Sequence, residues 1–408
     1  MIGKRKRKEE EWSLKLVFSH SFQSQYLAVR IPNPVTRNTL SMSEGRRKNI
    51  LICIILYILA GLLFSCSESP VDTVYFNFSG DRGVYIVNEG NFMYGNSSLS
   101  FYNSETKRVY NQVFQARNGV PLGDVAQSMC IWKDNGFIVV NNSGKIYVIN
   151  THTGEYIGQI SGLSSPRYVQ IINSNKAYIS DLYSKKTTIF NPATFQITGF
   201  IGVGNSNPKF SQHATEQMIP FKNRIFTNCW SYDNKILVIN SDTDELTDSI
   251  EVFKQPNSMV IDRDNKLWVL SDGGFEGSPF GEEQAGLLKI DAETFEIERT
   301  FRFDKNNRPR NLCINPTKDT LYFLNRHVWK MAISEKRLPE KPFIASEYTS
   351  SIGGFYSLAI DPSNRDLYIG DAIDHRQNGM IYRYNVSGIL IDKFKAGITP
   401  GGFAFIQE

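Results

Sequence analysis

The chain has 408 residues, of which 41% are hydrophobic, 12% aromatic and only 21% charged, with a formal net charge of +4. That length can bury a large core, and the modest charged fraction excludes a disordered, highly charged chain. The positive charge sits at the start: residues 1–65 hold 11 Lys or Arg and 4 Asp or Glu, leaving 34 against 37 and a net charge of −3 beyond them, which excludes a basic nucleic-acid footprint.

Residues 1–41 contain KRKRKEEE and then unpatterned sequence, upstream of a complete export signal. They are read as a segment added by an early start codon and lie outside the fold. Residues 42–65 read as a lipoprotein signal peptide: Arg46, Arg47 and Lys48 form the basic region, Ile50 to Phe64 the apolar one, and Leu63-Phe64-Ser65-Cys66 a lipobox. Cys66 is then the lipidated first residue of the mature chain, and residues 66–82 form its tether. The alternative is an uncleaved membrane anchor, for which an apolar run of about 15 residues is short.

From residue 83 onward the composition is strand-and-turn, with short Val, Ile, Tyr and Phe runs between Gly, Asn, Asp and Ser clusters. One pattern recurs. QSMCI (127–131), RYVQI (167–171), EQMIP (216–220), NSMVI (257–261), RNLCI (310–314), YSLAI (356–360) and GFAFI (402–406) align, with central residues 40, 49, 41, 53, 46 and 46 apart. After each of the first six comes a second strand, a polar loop and a third strand, and most units add a Thr- or Ser-bearing turn and a fourth strand. Four short antiparallel strands per 40 to 50 residues predict the blade of a β-propeller.

The first unit, RGVYIVNEGN, SSLSFYNSET and KRVYNQVF, lacks its first strand, while GFAFI at the end is a first strand without the rest. Joining them predicts an all-β, seven-bladed β-propeller over residues 83–408, closed by pairing of N- and C-terminal strands. Cys130 and Cys313 fall within apolar strands as small core residues. No spacing among Cys130, Cys229 and Cys313 is of metal or redox type, so neither a metal site nor a disulfide is expected.

In this strand order the loops between second and third strands gather on one face. They place Phe92, Tyr94, Tyr183, Trp230, Tyr232, Phe275 and Phe280 around one mouth, interleaved with Asn88, Glu89, Asn141, Asp181, Asp272, Arg326, Asp371, Asp374 and Arg376. Aromatic planes with amides and carboxylates suit a large, partly apolar ligand bearing amide or hydroxyl edges. The leads into the first strands add Gln127, Arg167, Tyr168, Glu216, Asn257, Arg310, Asn311 and Tyr356 around the central channel. Glu216, Asn257 and Asn311 leave open a divalent cation there, as in propeller lactonases, whereas Arg167 and Arg310 oppose one and predict a salt bridge to Glu216.

Catalytic motifs are missing: there is no Gly-x-Ser-x-Gly elbow, His-Glu-x-x-His or phosphate loop. His327 and His375 lie in the loop face as isolated histidines. The expectation is a non-enzymatic binding protein, with a metal-dependent lactonase-like hydrolase or a surface scaffold for a protein or glycan as alternatives.

A lipobox followed by GVYIVNEGNFMYGNSSLSFYN, GDVAQSM, VVNNSGKIYVIN and SPRYV resembles the cobalamin-capturing surface lipoproteins of Bacteroidetes, YncE-like propellers of BtuG type, over residues 83–406. The resemblance implies a cobalamin- or corrinoid-binding lipoprotein of the outer membrane, exposed at the cell surface and working with a TonB-dependent transporter, with no cofactor of its own. After Cys66, Ser67-Glu68-Ser69-Pro70 carries one acid where that resemblance implies an acidic run.

Overall fold

Side chains written into the turns decide where the strands stop. At the end of the third strand of a unit, an Asn or Asp bends its Oδ1 back onto the amides that follow, an Asx turn. Asn103 accepts from Glu105 and Thr106, Asn150 from His152 and Thr153, Asn191 from Ala193 and Thr194, Asn240 from Asp242 and Thr243, and Asp291 from Glu293 and Thr294, at 2.8–3.3 Å. Asn385 bonds Ser387 and Ile389 in the same way. The sixth unit ends its third strand on Ala332 and has no such residue.

The structure, a computed structural model, describes residues 83–348 and 354–406. The readings for residues 1–82, including the signal, Cys66 and the tether, lie outside the described residues. Among the described residues no helix is long and apolar enough to cross a membrane.

Seven antiparallel sheets form. Blade 1 takes β1 (Gly83–Asn88), β2 (Ser98–Asn103) and β3 (Arg108–Tyr110); blade 2 takes β4 (Ala126–Trp132), β5 (Asn135–Val140), β6 (Lys145–Asn150) and β7 (Tyr156–Ser161). Blade 3 takes β8 (Pro166–Asn173), β9 (Lys176–Asp181), β10 (Lys186–Phe190) and β11 (Ile197–Gly202), and blade 4 β12 (Thr215–Phe221), β13 (Arg224–Cys229), β14 (Lys235–Asn240) and β15 (Glu245–Glu251). Blade 5 holds β16 (Pro256–Ile261), β17 (Lys266–Ser271), β18 (Gly286–Asp291) and β19 (Ile297–Arg302), and blade 6 β20 (Arg310–Ile314), β21 (Thr320–Asn325) and β22 (His327–Ala332). Blade 7 holds β23 (Phe355–Ile360), β24 (Leu367–Asp371), β25 (Asn378–Tyr384) and β26 (Leu390–Ile398), and β27 (Pro400–Phe405) returns to pair with β1.

The expected closure by the two ends is therefore present: Val84 pairs Phe405, Tyr85 pairs Ala404 and Ile86 pairs Phe403. Two expected outer strands differ. Among the described residues blade 6 has three strands, with a bridge from Val328 to Ile344 where a fourth would lie. In blade 1 the strand expected through KRVYNQVF stops at Tyr110, because Gln112 turns left-handed at φ 55 and helix α1 (Val113–Asn118) buries Val113 and Phe114 instead.

Each blade-to-blade contact has its own apolar cluster. Phe137 and Val139 of β5 face blade 3 through Ala177, Ile179 and Phe190, while Ile138 and Val140 face Tyr85, Val87 and Phe101 of blade 1. Blades 7 and 1 close the circle through Tyr368, Ile381, Val84, Ile86 and Tyr102, with Phe403 and Phe405 packed on them. Deleting residues 400–408 removes the inner strand of blade 1 and exposes the β1 edge together with that last contact. The expected result is aggregation or loss of the cooperative melting transition; a monomer of unchanged melting temperature, checked by size exclusion and thermal unfolding, contradicts the closure.

Candidate functional site

Every blade hands the chain to the next across the mouth face, and each crossing leaves backbone groups that need partners. The residues ending the second strands supply them. Asn141 Nδ2 donates to Ser165 Oγ at 2.8 Å and Pro166 O at 3.1 Å, and Asn228 Nδ2 to Pro256 O at 2.6 Å. Asp181 Oδ2 accepts the amides of Ser164 and Ser165, and its Oδ1 those of Tyr183 and Ser184. Asn88 Nδ2 donates to Ser100 Oγ, and its Oδ1 accepts Gly397 N–H at 3.0 Å. Buried Asp371 accepts from Ile373 N, and Asp374 turns its own loop by accepting the amides of Arg376 and Gln377. The structure places these polar residues on the mouth face, with their side chains engaged in holding it.

Asp272 is similar. Its Oδ2 accepts Trp230 Nε1 at 3.0 Å and its Oδ1 accepts Gly274 N–H at 2.9 Å, while burial, partly offset by those bonds, lifts its carboxyl to about 6. Asn257 Nδ2 donates to Pro309 O at 2.8 Å and its Oδ1 accepts from Ser258 Oγ at 2.7 Å. Arg326 is the exposed one-residue turn between β21 and β22, at φ 62. His327 Nδ1 accepts Ser346 N–H at 3.0 Å.

The first-strand leads meet in the channel. Arg167 Nε lies 2.8 Å from the Glu216 carboxylate, the expected salt bridge, and its Nη1 donates to Gln127 Oε1 at 2.5 Å. Burial opposes the Arg167 charge, but Glu216 outweighs it and holds the guanidinium pKa above its usual value. Burial likewise raises Glu216, against the pull of Arg167, and lifts the Tyr168 phenol to about 12. Tyr356 OH donates to both Glu89 oxygens at 3.0 and 3.1 Å, and the Arg310 guanidinium stands 4.9 Å over the Tyr356 ring. Burial lifts the Glu89 carboxyl to about 7, with Tyr356, Arg167 and Arg310 lowering it less than desolvation raises it. Glu216 thus already has its counter-ion, and Asn257 its partners; of the three cation ligands considered, Glu216 Oε1 and Asn311 Oδ1 are buried without a hydrogen bond, but the Arg167 guanidinium already neutralises the one carboxylate. This donor set does not fit a channel cation.

The aromatic residues separate into two groups. Tyr232 stacks on Phe210 at 5.4 Å and meets Phe275 edge-on at 6.5 Å, and Phe210 meets Phe280 at 5.5 Å, forming a packed patch on blades 4 and 5. Phe210, in the connector from blade 3, escaped the sequence reading because it lies outside the repeat. Phe92, Met93, Tyr94 and Tyr183 project outward instead, with 47, 77, 78 and 50% of their surface exposed. Their backbone is fixed nonetheless: Met93 N–H bonds Asp124 Oδ2 at 2.9 Å, Asn91 N–H bonds Asn96 Oδ1 at 2.7 Å, and Asn91 Nδ2 bonds His375 O at 2.5 Å. Gly90, at φ 72, is required there, since a Cβ would come within 2.7 Å of Ser97 N.

On blade 4, His213, Cys229 and Asp233 converge, their donor atoms all within 4.8 Å of one another. His213 Nδ1 lies 2.6 Å from Asp233 Oδ2, and burial, with Asp233 beside it, pushes the Cys229 thiol well up. The described cysteines Cys130, Cys229 and Cys313 are all free thiols.

The blades, the charged channel and the loop-built mouth define a seven-bladed β-propeller. The chain belongs to the DUF5074 family, a domain of unknown function, which it matches over residues 82–397. Among solved structures it is similar to a quinonprotein alcohol dehydrogenase-like protein of Bacteroides thetaiotaomicron (15% identity, TM-score 0.61, 81% of this chain and 79% of that one). It is also similar to a Bacteroides fragilis protein proposed to be a 6-phosphogluconolactonase (14%, 0.55, 81% and 99%) and to apo AztD of Citrobacter koseri (8%, 0.53, 80% and 98%). At these identities the likeness is one of fold. No curated protein matches the sequence significantly.

The raised Glu89 carboxyl has a consequence for stability. Between the unfolded value of 4.5 and the folded value of about 7 the folded state holds a proton that the unfolded chain releases. Stability therefore falls as pH rises through that window and is level above it, by up to about 3 kcal/mol for this group. Glu89→Gln is expected to flatten that slope relative to wild type and to be the more stable protein at pH 8, as read from denaturant midpoints between pH 4 and 8. An unchanged slope would show that Glu89 is solvated.

Proposed function

We propose that the protein is a non-enzymatic surface receptor for a large, partly apolar ligand with amide edges, namely cobalamin or a related corrinoid. The observation that carries this reading is the loop at 88–96, whose backbone is tied down by Asp124, Asn96 and His375 while Phe92, Met93 and Tyr94 face solvent. A fold gains nothing from holding three apolar side chains outward in a fixed pose, so a contacting ligand is the natural beneficiary. A corrinoid offers a broad rim of carboxamides around an apolar ring. The aromatic residues would take its faces, and Gln127, Arg167, Arg310 and Tyr356 on the channel floor offer donors and acceptors to its amides.

In this reading Cys66 bears the lipid anchor in the outer membrane, the mouth faces outward, and the ligand passes to a TonB-dependent transporter. No chemistry is involved. The pairing of Glu216 with Arg167 weighs against the lactonase-like alternative, because the carboxylate that a cation would need is neutralised by a guanidinium.

Calorimetric titration of the protein with cyanocobalamin tests the reading, and one bound ligand is expected. Replacing Phe92 and Tyr94 together by Ala should weaken binding at least tenfold, about 1.4–3 kcal/mol, with little shift in melting temperature, since the two rings are 47 and 78% exposed. No heat and no thermal shift with cyanocobalamin would overturn it.

A further inference from the structure

We propose that His213, Cys229 and Asp233 form a binding site for a borderline-soft divalent cation of the zinc type, at the base of the loop that carries Trp230 and Tyr232. The three side chains come from two stretches of chain that the fold brings together, His213 from the connector before β12 and Cys229 and Asp233 from the end of β13 and the loop after it. Pairing of β12 with β13 sets Thr215 opposite Cys229, which puts His213 beside the strand end. Trp230 N–H bonds Ala214 O at 3.1 Å and Gln255 N–H bonds Asp233 O at 2.8 Å, so the loop backbone is fixed on both sides of its aromatics.

The donor set is chemically mixed: one thiol, one imidazole and one carboxylate, all within 4.8 Å of one another. Zinc-type ions take S, N and O donors at about 2.0–2.3 Å in tetrahedral geometry, which separates the donors by roughly 3.3–3.8 Å. Capture therefore asks the His213–Asp233 contact to open from 2.6 Å by about an ångström and the other separations to stay as they are or close by a similar amount. Calcium or magnesium would need six or more oxygens, which this cluster does not have.

The surroundings also favour a cation. Cys229 packs against Val203 and Leu237 in an apolar pocket, and among the described residues Asp233 is ion-paired with His213 alone. Metal binding would release the Cys229 proton, and the resulting thiolate together with the Asp233 carboxylate would neutralise the divalent ion. His213 keeps 13% of its side chain exposed, which leaves the solvent side for a water as fourth ligand. The bound ion would rivet the connector from blade 3, the end of β13 and the 229–233 loop into one unit. It stands independently of the corrinoid reading, since no ligand is needed for it.

The test is titration of the purified chain with Zn²⁺ against a chromophoric chelator, alongside Co²⁺ substitution. One equivalent of Zn²⁺ is expected to bind and raise the melting temperature, while Ca²⁺ and Mg²⁺ do neither. The Co²⁺ form should show intense near-ultraviolet thiolate charge transfer, absent in Cys229→Ser, and His213→Ala should weaken Zn²⁺ at least tenfold. Wild-type protein whose Co²⁺ form lacks the thiolate band, or which binds no Zn²⁺, overturns the proposal. So does Zn²⁺ affinity that survives unchanged in folded His213→Ala, because the metal then lies elsewhere.

Discussion

Each blade is apolar on both faces, and that two-sided burial is the constraint from which the rest of the molecule follows. Phe137 and Val139 need blade 3 as much as Ile138 and Val140 need blade 1, so no blade can end the array without exposing a full sheet face. A circle satisfies this condition and an open stack does not. With seven units, the seam must be made somewhere, and here it falls inside blade 1, where β27 pairs β1 with Phe403 and Phe405 packed toward Tyr368. Placing the seam within a sheet adds backbone hydrogen bonds to the apolar contact, so closure is cooperative in both.

Closing the circle forces the chain to cross from blade to blade at one face, and those crossings explain the polar residues there. A crossing segment cannot join a ladder, so its amides and carbonyls fall to side chains such as Asn141, Asp181 and Asn228. Their burial follows from the same demand. An Asn or Asp at the end of a second strand therefore says first that a neighbouring blade begins beside it, and only secondarily that a ligand is near.

The repeat was legible because second strands buried on both faces read as unbroken apolar runs, such as Gly136 to Val140, rather than as alternating ones. Closure was legible because the orphan pieces at the two ends completed one unit. The shortened blades had a signal that the strand pattern hides: blade 6 lacks the Asx residue at Ala332, and Gln112 interrupts the outer strand of blade 1. The roles of individual mouth residues were not legible. Nothing local distinguishes Tyr232, stacked on Phe210, from Tyr94, held out to solvent, because the difference depends on a connector two loops away. His213, Cys229 and Asp233 were invisible for the same reason: 16 residues separate the first two and 4 the others, a spacing that means nothing until β12 pairs β13.

The division between tied and free groups determines where binding energy can come from. Arg167 already bonds Glu216 and Gln127, and Tyr356 already bonds Glu89, so a ligand amide reaching the floor exchanges one hydrogen bond for another with little net gain. Such groups set orientation and reject ligands that cannot replace the bonds they break. Phe92, Met93, Tyr94 and Tyr183 leave 47, 77, 78 and 50% of their surface exposed, and covering them removes apolar surface from water. Because the loop beneath three of them is already fixed, little ordering entropy opposes that gain. In the proposed binding role, affinity would come from the rim and selectivity from the floor, with the Glu89 carboxyl, near neutrality at about 7, deciding whether the floor would meet the ligand balanced in charge or net positive.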